Sequence, residues 1–200
     1  MNIGVFGGTF DPIHKGHLAI AEEARTRLNI ETVFIVPAGH PWQKEEREIT
    51  PVEHRLEMVK RATSGIPYFK LATWETERSG PTYTIDTIAA LREELSRDAE
   101  IFFILGWDSL IQLHEWHEAE RLIQLCYLVA VPRPGYPRPK LKSLEKQLPG
   151  LRERAMLLDE PLLDVSATAI RERVAKGLSV RHLVPEPVNR YIKEHRLYQP

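Results

Sequence analysis

A doubly wound, Rossmann-like α/β fold built on a parallel sheet, with a small C-terminal helical segment, is what this sequence predicts, and three observations carry it. Six short runs rich in β-branched and aromatic residues, at 3–6, 32–36, 68–72, 101–105, 127–131 and 155–158, read as buried strands. Longer stretches with helical spacing lie between them, among them 17–28, 52–63 and 84–95. Two proline-rich segments, 37–51 and 132–139, follow strands and fit neither period, so they read as loops. Strands that are apolar throughout, alternating with helices, need helices on both faces, and the right-handed crossover rule then gives a parallel sheet. Ligands of such sheets bind at the carboxyl ends of the strands, where both loops emerge.

The elements follow in order. The chain runs straight into the strand at 3–6, turns through paired glycines, and takes up helical periodicity at His17. The strand at 32–36 leads into the charged, proline-bearing loop 37–51, and the helix at 52–63 returns the chain to the strand at 68–72. The helix at 84–95 precedes the most apolar strand, 101–105, and the strand at 127–131 runs into four prolines within 132–139. After the last strand, 165–196 reads as two or three short helices separated by Gly177 and by Pro185-Glu186-Pro187. One domain is expected over 1–200, with a Rossmann-like core at 1–164 and a helical tail at 165–200.

Composition narrows the function classes. With 27 Lys and Arg against 28 Asp and Glu, the formal charge is -1, so no overall cationic field attracts nucleic acid and any anion site must be built locally. The single cysteine, Cys126, lies in an apolar run, which argues against a disulfide framework and against cysteine-bound zinc. No basic stretch precedes an apolar one at the N-terminus, and no run of eighteen apolar residues occurs, so the expectation is a cytoplasmic protein without a membrane partner. Assembly into a homo-oligomer is left open.

The chemistry concentrates where the first strand ends, in Gly7-Gly8-Thr9-Phe10-Asp11-Pro12-Ile13-His14-Lys15-Gly16-His17. Paired glycines let backbone approach a ligand, and a following helix N-terminus directs unpaired N–H groups and a positive dipole end at an anion. His14 and His17 would stand on one side of the first helical turn, with Gly16 leaving room between them, so that both imidazoles can donate to one phosphate. A glycine-rich turn with two exposed histidines is the plain alternative. The spacing matches neither the G-x-G-x-x-G fingerprint nor a P-loop.

Gly8-Thr9-Phe10-Asp11-Pro12-x-His14-x-Gly16-His17 resembles the signature of the nucleotidylyltransferase superfamily, and Ser166-Ala167-Thr168-Ala169-Ile170-Arg171 resembles that superfamily's second motif, Ser-x-Thr-x-Ile-Arg. Read physically, Ser166 is a helix N-cap and Arg171 stands one turn on, within reach of a polyphosphate. Further segments resemble bacterial nicotinate-mononucleotide adenylyltransferases: Pro37-Ala38-Gly39-His40-Pro41-Trp42-Gln43-Lys44, Gly80-Pro81-Thr82-Tyr83-Thr84-Ile85-Asp86-Thr87, Leu105-Gly106-Trp107-Asp108-Ser109-Leu110, Leu113-His114-Glu115-Trp116 and Arg133-Pro134-Gly135. The second loop departs from the family pattern, since the consecutive prolines and the histidine that often precede its lysine are replaced by His40-Pro41-Trp42-Gln43-Lys44.

The resemblance implies transfer of an adenylyl group from ATP to nicotinate mononucleotide, with both as partners and magnesium arriving on ATP, because the sequence offers no dense carboxylate cage for the ion. It assigns His14, His17, Lys44 and Arg171 to catalysis. Gly7, Gly8, Thr9, Phe10, Gly16, Ser166, Thr168 and Ile170 go to ATP, the tail 165–200 closing that site. Thr82, Tyr83, Thr84, Asp108, Trp116 and Arg133 go to the nucleotide acceptor. Plainer roles stand beside several of these. Lys44 has the reading of a solvated loop charge, Thr82 and Thr84 of helix caps, Asp108 of an N-cap, and Trp116 of a core tryptophan. Three alternatives remain at this point: nicotinamide mononucleotide as acceptor, phosphopantetheine as acceptor, and a nucleotide-binding module without catalysis.

Overall fold

A computed structural model describes residues 1–39, 49–96, 98–161 and 163–199. Six parallel strands, β1 (Asn2–Gly8), β2 (Thr32–Pro37), β3 (Phe69–Leu71), β4 (Glu100–Gly106), β5 (Tyr127–Val131) and β6 (Ala155–Leu157), lie in the order β3-β2-β1-β4-β5-β6. That is the doubly wound order, reversing direction between β1 and β4. The helices that cross between and follow the strands are α1 (Lys15–Arg27), α2 (Val52–Thr63), α3 (Thr84–Glu94), α4 (Trp107–Ile111), α5 (Ala119–Leu125), α6 (Leu141–Leu144), α7 (Leu151–Arg154), α8 (Ala167–Ala175) and α9 (Glu186–Glu194). No helix among the described residues is long and apolar enough to cross a membrane.

The period-two alternation of the strands divides the interior into two cores. On one face Val33, Ile35, Phe102, Ile104, Val129 and Val131 pack with Ala21 and Ala24 of α1, with Met58, Val59 and Ala62 of α2, and with the C-terminal segment. On the other, Val5, Val36, Ile101, Phe103, Leu105, Leu128 and Ala130 pack with α3, α5 and α7. Every strand neighbour pair is parallel, so each carboxyl end emerges on one edge, and every βα turn is delivered there.

Two boundaries differ from the sequence expectation for local reasons. Helix α1 starts at Lys15 rather than His17, because His14 is its N-cap. Pro185-Glu186-Pro187 opens α9 instead of breaking it: Pro185 is the N-cap and Pro187 lies in the first turn, where no intrahelical N–H is needed. The tail 165–200 is tied into the sheet face through Ile170, Val180, Val184, Val188, Tyr191 and Ile192, all buried in the first core. The carbonyl of Leu183 also accepts from the N–H of Lys15 at 2.9 Å, satisfying one of the open donors at the start of α1.

Candidate active site

A cleft of about 960 Å³ lies over the carboxyl ends of β1 and β4, at the reversal of strand order. The end of β1 and the turn after it line it with Gly7, Gly8, Thr9 and Phe10, and the start of α1 with His14, Gly16 and His17. Thr82 and Tyr83 come from the segment before α3 and Thr84 from its first position, Asp108 and Trp116 from beyond β4, and Arg133 from the loop after β5. Ser166, Thr168 and Arg171 close the ring from α8. Thus the structure brings together residues that the chain holds far apart. Two members of the expected set stand elsewhere. The Ile170 side chain points from α8 into the core, fully buried, and does not line the cleft. Lys44 lies outside the described residues.

The two histidines hold each other. His14 Nδ1 accepts from the backbone N–H of His17 at 3.3 Å, and His17 Nδ1 accepts from the backbone N–H of His14 at 3.2 Å, a reciprocal capping box made by imidazoles. Their rings stack with centroids 3.6 Å apart. A Cβ at position 16 would come within 3.0 Å of His14 Nδ1, so glycine there makes the ring's position available. Since each Nδ1 is used as an acceptor, each ring carries its N–H on Nε2, and the stacked pair offers two donors. Burial, reinforced by the positive charge of Arg133, lowers the pKa of His14 to about 4, so this ring is neutral near pH 7. Phe10, with φ at 49° in the left-handed region, packs edge-on against His17 and Phe6 and backs the pair.

Arg171 reaches the same wall from 160 residues away. Its Nη1 donates to the backbone carbonyl of Asp11 at 2.7 Å, and its Nη2 donates to Thr168 Oγ1 at 3.1 Å. Helix α8 can deliver it because Ser166 caps that helix, its Oγ accepting from the N–H of Ala169 at 3.1 Å.

At the other end of the cleft, Asp108 pairs through Oδ2 with the Arg133 guanidinium, a contact that crosses from the β4 to the β5 loop. Its Oδ1 is buried without a hydrogen-bond partner among the described residues, and a Cβ on residue 106 would sit 2.3 Å from it, so the glycine leaves the Asp108 carboxylate its present place. Asp108 is not the N-cap of α4; Gly106 is, and Asp108 falls in the first turn. Neither do Thr82 and Thr84 cap α3, whose N-cap is Tyr83 with no side-chain hydrogen bond. Trp116 is both a wall of the cleft and part of the core, half-buried with its ring edge-on to Phe103.

Several residues of this region carry no motif. Glu75, Arg55 and Tyr198 are buried or half-buried; Glu75 lines the cleft, whereas Arg55 and Tyr198 stand outside its lining. Glu75 accepts from Thr87 Oγ1 at 3.1 Å, and its carboxyl pKa is raised, chiefly by burial; Thr87 and the nearby Thr82 hydroxyl oppose that rise, although Thr82 Oγ1 makes no well-formed hydrogen bond to a described partner. The His117 ring lies tilted against that of Tyr83, 4.3 Å between centroids. Only Arg55 left a trace in the sequence: with Met58, Val59 and Ala62 it falls on the apolar stripe of α2, where an unpartnered charge is not tolerated.

A doubly wound sheet whose switch-point cleft is walled by a glycine turn, a stacked imidazole pair and a capped arginine helix defines a nucleotide-binding protein of the nucleotidyl-transfer class. Residues 5–173 match the cytidylyltransferase-like family. A protein of Dehalococcoides mccartyi named "probable nicotinate-nucleotide adenylyltransferase" is 49% identical over 198 residues, covering 99% of this chain and 97% of that one. One of the same name from Thermomicrobium roseum is 43% identical, covering 98% and 91%. In three dimensions the chain resembles the Plasmodium falciparum nicotinic acid mononucleotide adenylyltransferase complexed with APC, with a TM-score of 0.77 at 22% identity over 98% of this chain and 96% of that one. The same enzyme complexed with NaAD gives 0.75 at 21% identity, covering 98% and 97%. The chain belongs to the nicotinate-nucleotide adenylyltransferase family.

Proposed function

We infer that the protein transfers the adenylyl group of ATP to the 5′-phosphate of nicotinate mononucleotide, forming nicotinate adenine dinucleotide and pyrophosphate, a step in making NAD. The observation that carries this reading is the hydrogen bond from Arg171 to the Asp11 carbonyl, which joins the two motifs across 160 residues at one wall of one cleft. The names of the relatives point to the same acceptor.

The reaction needs no protein nucleophile. An oxygen of the nicotinate mononucleotide phosphate bonds to the α-phosphorus of ATP, and the bond from that phosphorus to the α,β-bridging oxygen breaks, the electron pair leaving with pyrophosphate. The attacking phosphate is ionised near neutral pH, its second pKa being about 6, so a general base adds little. What the protein supplies is alignment and compensation of the charge that grows on the phosphate oxygens. The Nε2–H groups of His14 and His17 donate to the α- and β-phosphates, Arg171 neutralises the polyphosphate, and the N–H groups of Gly8 and Thr9 meet the same anion. Lys44 is assigned the polyphosphate as well. Neutrality of His14 fits this role, since a buried donor without charge orients a phosphate without having to be desolvated as an ion. Asp108 takes a ribose hydroxyl, Trp116 stacks on the pyridine, and Thr84, with Thr82 and Tyr83 around it, holds the pyridine carboxylate. Magnesium would arrive with ATP as part of that substrate and would supply positive charge to its phosphates. Among the described residues no group of three potential ligands is arranged to hold a resident ion.

The test is pyrophosphate release from ATP and magnesium with nicotinate mononucleotide, nicotinamide mononucleotide or phosphopantetheine in parallel. Turnover with the nicotinate nucleotide at a kcat/KM at least about tenfold above the nicotinamide one is expected, the discrimination that one misplaced polar group produces. Release with phosphopantetheine alone, or with none of the three, overturns the reading.

A further inference from the structure

Arg55 is the largest fully buried side chain of the molecule's described part, 2% exposed, and it does not line the cleft. It stands immediately behind the cleft's phosphate end. Among the described residues its guanidinium donates only to backbone carbonyls: Nε to Thr50 at 3.0 Å, Nη1 to Thr9 at 2.9 Å and to Ala38 at 2.8 Å, and Nη2 to Gly39 at 3.3 Å. Those carbonyls belong to three separate backbone stretches, the turn after β1, the turn after β2 and the approach to α2. Asp11, whose carboxylate accepts from Tyr198 at 2.8 Å, lies near enough to favour the charged guanidinium against the burial that disfavours it. A cation in that position is expensive unless every donor is used, and a planar fork with five N–H groups is the side chain that can gather carbonyls from several directions at once.

The consequence lies on the far side of the peptides. In a planar trans peptide the carbonyl of one residue and the N–H of the next point in opposite directions. With the Thr9 and Ala38 carbonyls drawn to Arg55, the N–H groups of Phe10 and Gly39 are turned away from it; Thr9, Phe10 and Ala38 line the cleft, and Gly39 follows directly on that lining.

We propose that Arg55 is a positioning residue for adenylyl transfer: it locks the turns after β1 and β2 so that their amide N–H groups meet the triphosphate, and it places a buried positive charge behind that anion. This rests on the reading of the cleft as an ATP site, and the two fail differently. A parent chain that releases no pyrophosphate with any acceptor defeats that reading, whereas the following outcomes concern Arg55 in an active parent.

Arg55→Lys keeps a positive charge but has one nitrogen and cannot span the four carbonyls. It should raise the KM for ATP about tenfold while the KM for nicotinate mononucleotide changes by less than about threefold, the scale of lost hydrogen bonds to a charged group. A residue that merely stabilises the fold would lower the active fraction, and so kcat, with both KM values unchanged; that pattern in Arg55→Lys overturns the proposal. Should the variant not fold, the parent itself decides. Inorganic tripolyphosphate added to the intact protein should slow amide hydrogen exchange at Phe10 and Gly39 by about tenfold or more, in keeping with donors taken up by an anion. Unchanged exchange at both amides overturns the proposal.

Discussion

At His14 a capping interaction and a protonation equilibrium are the same event, because the Nδ1 that accepts from the His17 N–H is the atom a proton would occupy. The ring's pKa in the fold is about 4 against an ordinary 6.5, lowered first by burial and then by Arg133. Between those values the unfolded chain binds a proton that the folded chain does not, so stability is complete above pH 6.5 and declines as the pH falls toward about 4. The decline from this group is at most on the order of 3 kcal/mol. Below that pH the ring ionises in the folded state too, and the cap is broken. In His14→Asn the helix keeps a capping oxygen that cannot titrate. Melting followed from pH 7 to pH 4 should therefore fall more steeply in the parent than in the variant. Parallel curves would mean that His14 is solvated and readily charged, which would also remove its role as a neutral donor.

Helix α8 is a short element whose position depends on its first turn. Ser166 Oγ supplies the single side-chain cap, and Thr168 and Arg171 follow within the next turn and a half. Ser166→Ala should cost about 1 kcal/mol, lowering Tm by about 2–4 °C in a chain of this size, and should raise the KM for ATP severalfold as Arg171 loses its fixed approach. Ser166→Asn, which restores a cap, should recover both quantities. A variant with lowered Tm and unchanged KM for ATP would detach the cap from the site. The elements themselves were legible in the sequence where period and length agree: β5 and α2 span 127–131 and 52–63 as the patterning predicts. Helices α4, α6 and α7 were not, because four or five residues do not complete two turns and leave no periodicity to read. In the site, the motif residues were legible through resemblance, down to the capped helix of Ser166. Ile170 was assigned to ATP because it belongs to the motif, yet its periodicity within α8 is that of a core residue. The ties of Arg55 and Tyr198 were hidden for another reason: they run to backbone carbonyls and to a carboxylate 187 positions away, which leave no local pattern, although Arg55 itself shows as a charge on the apolar stripe of α2.

Across the whole molecule the division into a Rossmann-like core at 1–164 and a tail at 165–200 describes the sequence better than the packing. Tail residues Ile170, Val184, Val188 and Ile192 share one core with Ile35, Ile104 and Val129 of the central strands. Polar ties run the same way, from Arg171 and Tyr198 to Asp11 and from Lys15 to the Leu183 carbonyl. Helix α9 alone buries Val188, Tyr191 and Ile192, largely against α2. At about 1.5–3 kcal/mol for each apolar side chain removed from water, that contribution is comparable to the 5–15 kcal/mol by which a domain is stable at all. The tail is therefore expected to fold with the sheet as one cooperative unit and not to swing over a preformed site. In urea, fluorescence from the four tryptophans and far-ultraviolet circular dichroism from all helices should report one coincident transition. A chain ending at Val184, which lacks α9 and the Tyr198 hydrogen bond to Asp11, should show no cooperative transition at 25 °C, and Tyr198→Phe should retain the transition at a slightly lower midpoint. A truncated chain that still unfolds cooperatively, with a midpoint close to the parent's, would make the tail an accessory lid. Its ATP affinity would then measure what Arg171 contributes without α9 behind it.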